Sequence, residues 1–143
     1  MATLNWRVGG SGAIASADAG HIAIAKIALD CATNNVGSGD TVQVLDIPAG
    51  TEVLWTALLV GTPETAADTA DLGDADSATV YMSNAPLNGT AGTYLWGDAG
   101  TGSTSVMIRK YYKAAGILSI HADAALAQFK GTLLVCMAKM TIG

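Results

Sequence analysis

The chain has 143 residues, half of them apolar and 13% charged, so it can bury a core but carries little of the charge that usually coats a soluble domain. Its 7 basic and 12 acidic residues give a net charge of −5, which excludes a polyphosphate as main partner, because neutralising phosphates needs many Lys or Arg on one surface. A chain so poor in charge must leave small-residue and apolar surface open or cover it with partners, which is the composition of an assembly protein.

Residues 1–20 carry one basic residue, Arg7, and no apolar run of signal-peptide type. They read as an N-terminal arm, ordered on a neighbour, ahead of a single domain over 21–143. Gly10-Ser11-Gly12-Ala13-Ile14-Ala15 matches a dinucleotide fingerprint, with Asp30 about twenty residues on. That chemistry needs a helix after the glycines and a βαβ series. Gly20 interrupts the first and nothing supplies the second, so no cofactor is expected. The longest apolar stretch, Leu133–Ala138, is far too short to span a bilayer, so no membrane partner is expected and the chain reads as made in the cytoplasm.

From Ile22 the pattern has period two, with Ile22, Ile24, Lys26 and Ala28 on one face and Ala23, Ala25, Ile27 and Leu29 on the other, which predicts a strand. Thr41–Ile47 alternates and ends at Pro48-Ala49-Gly50, a turn signal. Thr51–Val60 is apolar on both faces, with Val53, Trp55, Ala57 and Leu59 opposite Leu54, Leu58 and Val60. Thr65–Leu72 ends at Gly73-Asp74, and Ala78–Met82 predicts a short strand. A Gly/Asn/Pro-rich stretch from Ser83 to Ser105 is relieved by Tyr94-Leu95-Trp96.

Val106–Tyr112, Gly116–His121 and Gly131–Ile142 complete seven to nine antiparallel strands, and turn residues every 8–12 positions predict an all-β sandwich, jelly roll or barrel. In the last strand Leu134, Cys136, Ala138, Met140 and Ile142 form an unbroken apolar face. Leu133, Val135 and Met137 on the other face give way to Lys139 and Thr141. A strand of that kind belongs at the centre of a sheet, since an exposed edge would invite aggregation.

No catalytic or metal-binding set emerges. Cys31 and Cys136 read as buried free thiols, with a bridge between the first and last core strands left open. Asp68, Asp71, Asp74 and Asp76 could supply oxygen ligands to calcium, but the same residues suit Asx-type turns and the EF-hand pattern is missing. His121-Ala122-Asp123 reads as a strand entering a turn, and no serine or cysteine sits in an activating motif. Arg109, Lys110 and Lys113 beside Tyr111 and Tyr112 read as a strand with snorkelling charges and not as a nucleic-acid patch.

The run Gly39-Asp40-Thr41-Val42-Gln43-Val44-Leu45-Asp46-Ile47-Pro48-Ala49-Gly50-Thr51-Glu52-Val53-Leu54 resembles a pattern of small structural proteins of tailed bacteriophages, the capsid-decorating or cement proteins. Ala70-Asp71-Leu72-Gly73-Asp74 and Lys113-Ala114-Ala115-Gly116-Ile117-Leu118-Ser119-Ile120 are similar to later segments of the same proteins, while the long Ser83–Ser105 stretch departs from them. The resemblance implies a jelly-roll-like β-sandwich on the outside of a virion, bound to the major capsid protein, often as a homotrimer and without catalytic residues. On that reading Leu4, Asn5, Trp6 and Arg7 contact the capsid, and Trp55, Leu59, Leu133, Val135 and Met137 form an intersubunit apolar surface. The alternative is a carbohydrate- or receptor-binding module, in which Trp96 stacks on a glycan.

Overall fold

The computed structural model describes residues 2–8, 22–96 and 109–140, and among these the chain is all-β with no helix. The strands are β1 (Thr3–Val8), β2 (Ile22–Asp30), β3 (Thr41–Ile47), β4 (Thr51–Thr62), β5 (Thr69–Gly73), β6 (Met82–Pro86), β7 (Tyr94–Trp96), β8 (Lys110–Tyr112), β9 (Gly116–Ala122) and β10 (Lys130–Lys139). They form two sheets. Sheet A has the order β1-β3-β9-β5-β6, and sheet B the order β2-β10-β4-β7, with β8 also pairing β4. All pairings are antiparallel except β1 on β3, which is parallel.

The core lies between the sheets. Ile27, Leu58, Val60, Leu133, Val135 and Met137 of sheet B belong to one buried cluster with Val42, Val44, Leu72, Leu118 and Ile120 of sheet A. Successive strands alternate sheets because Pro48-Ala49-Gly50 passes the chain from β3 to β4 in the opposite layer. Gly50 takes φ +80° there, a conformation that glycine adopts without strain. Gly73 ends β5 where a Cβ would collide with the carbonyl of Ser77, so the tight Asp74–Ser77 turn requires glycine.

β10 is central, between β2 and β4, as its two-sided apolar pattern predicts. Its inward side chains are Leu133, Val135 and Met137, all at most 1% exposed. These three residues are core of a single chain, and the expectation that they face another subunit is corrected: packing against sheet A takes them out of reach. The unbroken face of Leu134, Cys136 and Ala138 turns outward instead. In β4 strict alternation fails at a bulge. Cys136 is level with Trp55 and Met137 with Val53, so Leu54 is an extra residue. Val53 therefore points inward with Thr56, Leu58 and Val60, while Trp55, Ala57 and Leu59 point outward.

Two other expectations change. The strand expected at Ala78–Met82 begins at Met82, because Asp74–Ser77 and the following residues make a turn that holds Tyr81 N–H against Leu72 C=O at 2.8 Å. The N-terminal twenty residues do contain an element: Thr3–Val8 is an edge strand of sheet A, with Leu4 and Trp6 packed against the core. The Gly10–Ala15 fingerprint and the rest of the expected arm, residues 9–20, lie outside the described residues.

A polar clasp joins the sheets at one end. The Asp74 side chain, 3% exposed, accepts Lys110 Nζ at 2.6 Å and the Tyr112 hydroxyl at 2.6 Å on one oxygen, and Asp76 and Ser77 N–H on the other. Tyr112 and Tyr81 share a buried hydroxyl–hydroxyl bond of 2.8 Å. Burial works to raise the Asp74 carboxyl, but the Lys110, Tyr112 and backbone donors outweigh it and hold the group below its ordinary value of 3.8. Burial likewise keeps both phenols protonated far above their ordinary range. At the other end buried Glu64 accepts the N–H groups of Gln128 and Phe129 at 3.1 and 2.9 Å, fixing the loop that leads into β10.

Two predictions follow from this packing. Asp74→Asn should lower stability by about 2–3 kcal/mol, the scale of hydrogen bonds to a charged group. Since the folded carboxyl sits below its ordinary value, its contribution holds above that value and is lost as pH falls through the lower one; urea melts of both proteins from pH 7 to pH 2.5 should therefore converge in acid. Thr56 Oγ1 is buried in the core without a hydrogen-bond partner among the described residues. Thr56→Val, of equal shape, should raise stability by about 1 kcal/mol in the same melts.

Candidate functional site

The two outer faces of the sandwich differ in chemistry. The outer face of sheet A is polar: Thr41, Gln43, Ser119 and His121 line a shallow depression there, with Thr3 of β1 at its rim. Thr41 Oγ1 lies 3.4 Å from His121 Nδ1, and Thr69 Oγ1 donates to Asp123 at 2.7 Å. Burial pushes the neighbouring Asp71 carboxyl up, against the Asn84 N–H that it accepts at 2.8 Å.

The outer face of sheet B is apolar. Across its strands Ile24 is level with Cys136 and Cys136 with Trp55; Lys26 is level with Leu134, then Ala57, then Trp96; Ala28 is level with Thr132, then Leu59, then Tyr94. Cys136, Ala138 and Ala57 are buried by these neighbours without belonging to the core cluster. Every large apolar side chain left exposed among the described residues lies on strands of this sheet or directly after one: Ile22 (63%), Ile24 (49%), Tyr94 (46%), Trp96 (52%), Tyr111 and Met140. Contiguous exposed apolar surface on a folded domain marks a site of interaction.

The aromatic part is ordered by packing. Tyr94 and Trp96 flank inward-facing Leu95 on β7, so both project outward from an edge strand. Their rings lie 6.0 Å apart at 29°, and Trp55 meets Trp96 edge-on at 5.7 Å. Such rings offer large contact area with few rotamers to freeze. The charges on this side are sparse: Lys26 on β2, and Glu52 of β4 paired with Arg109 at 3.2 Å.

The expected site residues fall into groups. Trp55, Leu59 and Trp96 do share the outer face of sheet B. Leu133, Val135 and Met137 lie beneath it in the core. Leu4, Asn5 and Trp6 stand apart from it, on β1 at the edge of sheet A, where Leu4 and Trp6 are half-buried and Asn5 is exposed. Ile22 and Ile24 were visible in the sequence as one face of a strand, but nothing local says which face meets the core. The acidic run does not gather round a cation: Asp74 and Asp76 bind Lys110, Asp71 accepts Asn84 N–H, and no three His, Cys, Asp or Glu among the described residues are placed to hold a metal ion. Two of the three expected basic-cluster cations are thereby paired with acids.

The cysteines are free. In register Cys136 faces Ile24 and not Cys31, seven residues further along, so some 20 Å of strand separates them and a bridge is ruled out by distance. Burial, with Glu64 and Asp30 nearby, pushes the Cys31 thiol up to about 11, and burial raises Cys136 as well.

No protein-family model matches the sequence, and no curated protein matches it. Among solved structures, the fold is similar to a chain in the capsid of Ralstonia phage GP4, with a TM-score of 0.61 and 16% identity over 87% of this chain and 88% of that one. A chain in the acidic stable capsid structure of Helicobacter pylori bacteriophage KHP30 gives 0.61 and 14%, over 85% and 90%. One in the cyanophage Pam1 capsid asymmetric unit gives 0.55 and 19%, over 85% and 84%. At such identities the likeness is one of fold: this chain has the β-sandwich of chains found in three phage capsids.

Both thiols should resist a chromogenic disulfide reagent at pH 8 while the chain is folded, and two equivalents per chain should react once it is unfolded in guanidinium. Rapid labelling of Cys136 in the folded state would contradict the tight cover drawn here for the outer face of sheet B.

Proposed function

We propose that this chain is a non-enzymatic structural protein of a phage virion, bound to the outside of the capsid, where it cements the shell through contacts with the major capsid protein. The observation that carries the reading is the apolar outer face of sheet B, which would stay in water on an isolated sandwich. The shared fold with chains of three phage capsids adds to it. So does the strand order: without β1, the orders β2-β10-β4-β7 and β3-β9-β5-β6 interlock as two four-stranded layers, the arrangement of a jelly roll.

On this reading sheet B lies against neighbouring subunits, with Trp55, Leu59 and Trp96 joined by Ile22, Ile24 and Tyr94, and polar sheet A faces solvent. Leu4, Asn5, Trp6 and Arg7 on β1 form a second, peripheral contact with the shell. The chain is made in the host cytoplasm and acts as a homo-oligomer, a trimer being the favoured form. A subunit that binds the assembled lattice and not free shell protein stabilises that lattice by linkage, and repetition over the shell multiplies weak contacts.

A second reading has one observation in its favour. Tyr94 and Trp96 stand side by side, half exposed and nearly parallel, as a stacking platform for a glycan would.

Mixed with undecorated expanded heads, the protein should co-sediment in fixed stoichiometry and raise the temperature at which packed DNA is released. Ile24→Asp and Trp96→Ala, both at exposed positions, should each weaken that binding about 30-fold, the effect of losing a hot-spot residue worth about 2 kcal/mol. If heads are ignored and a glycan quenches tryptophan fluorescence of the wild type but not of Trp96→Ala, the second reading replaces the first.

A further inference from the structure

β1 and β2 stand at one corner of the sandwich. β1 runs parallel to β3, so Val8 is level with Leu45, close to the Pro48–Gly50 turn. Ile22, the first residue of β2, is level with Ala138, itself level with Glu52 just after that turn. Trp6 and Val42 of sheet A line one internal cavity with Leu29 of β2, so the two edges face each other across the core. Packed sheets lie about 10 Å apart, a gap that roughly three extended residues cross. Residues 9–21 supply thirteen. Fully extended they reach about 43 Å, well past what the crossing within one chain needs and past the common loop length of about 4–6 residues.

β1 itself is a delivered part. It touches its sheet along a single neighbour, β3, and the register breaks between Asn5 and Val8. Ala2 N–H reaches Asp40 Oδ1 at 2.8 Å, and Thr41 N–H reaches Ala2 C=O at 2.9 Å. Leu4 and Trp6 enter a slot walled by the rest of the domain. These contacts are the same whichever chain supplies the strand. The choice between self and neighbour is then set by linker length and effective concentration, and a linker several times longer than its span lowers the preference for self.

We propose that β1 is an exchanged strand: Thr3–Val8 of one copy occupies the β3 edge of a second copy of this chain. Passed head to tail, such strands close a ring, which is how a trimer would be tied. The inference rests on the homo-oligomer of the proposed function but does not require the shell.

Asn5 is level with Gln43, and Thr3 with Thr41, on the outer face of sheet A. Neighbouring strands bring paired Cα atoms within disulfide range. Asn5→Cys/Gln43→Cys, made in the full chain and oxidised in its native state, should run on a non-reducing denaturing gel chiefly as covalent multimers that collapse to one band on reduction. Thr3→Cys/Thr41→Cys should do the same. Bridged monomers from either pair would overturn the exchange. Failure of both pairs to bridge in any form would overturn it too, by removing β1 from the β3 edge. Head binding by the wild type is scored separately, so a protein that exchanges strands yet ignores heads would sink the capsid reading and leave the exchange standing.

Discussion

Strand β10 is apolar on both faces, and a two-layer sandwich can turn just one of them into its core. Much of the molecule follows from that constraint. Seated between β2 and β4, β10 gives Leu133, Val135 and Met137 to the interior and leaves Leu134, Cys136 and Ala138 outside. The neighbouring strands complete the outer surface in kind, with Ile22 and Ile24 on one side and Trp55, Ala57 and Leu59 on the other. The apolar face is thus a property of three strands in register, continued by the aromatic pair on β7.

The opposite sheet is built to face water, and its acids are put to structural use. Asp74 ties the turn after β5 to β8 across the layers through Lys110 and Tyr112, and the buried Tyr81–Tyr112 bond extends that tie into the core. Glu64 does similar work at the entry to β10 with backbone donors. Acidic residues that might pass for a cation site are thereby committed to holding two sheets together. The same division of labour leaves charge sparse on sheet B, which suits a surface that must shed water when covered.

Period-two patterning and turn residues made the all-β class, the central place of the last strand and most strand positions readable along the chain. β2, β3, β4 and β9 fall within a residue or two of where alternation puts them. Two features were not readable. The bulge at Leu54 shifts Trp55, Ala57 and Leu59 to the face opposite Val53, and nothing in Thr51–Val60 marks where the extra residue sits. β1 was hidden because six residues with two apolar side chains, Leu4 and Trp6, make a weak local signal. Their strand exists through the edge of β3, supplied by residues some forty positions away.

The docking face shows where the boundary lies. Sequence by itself determined that β2, β4 and β10 would each carry apolar residues on both sides, because hydrophobic periodicity is a local property. Which side would be core was decided by tertiary structure, through strand register, one bulge and the placement of sheet A. A strand has two chemically similar faces until a second layer covers one of them. The surface left over on sheet B is the one for which an outside partner is proposed.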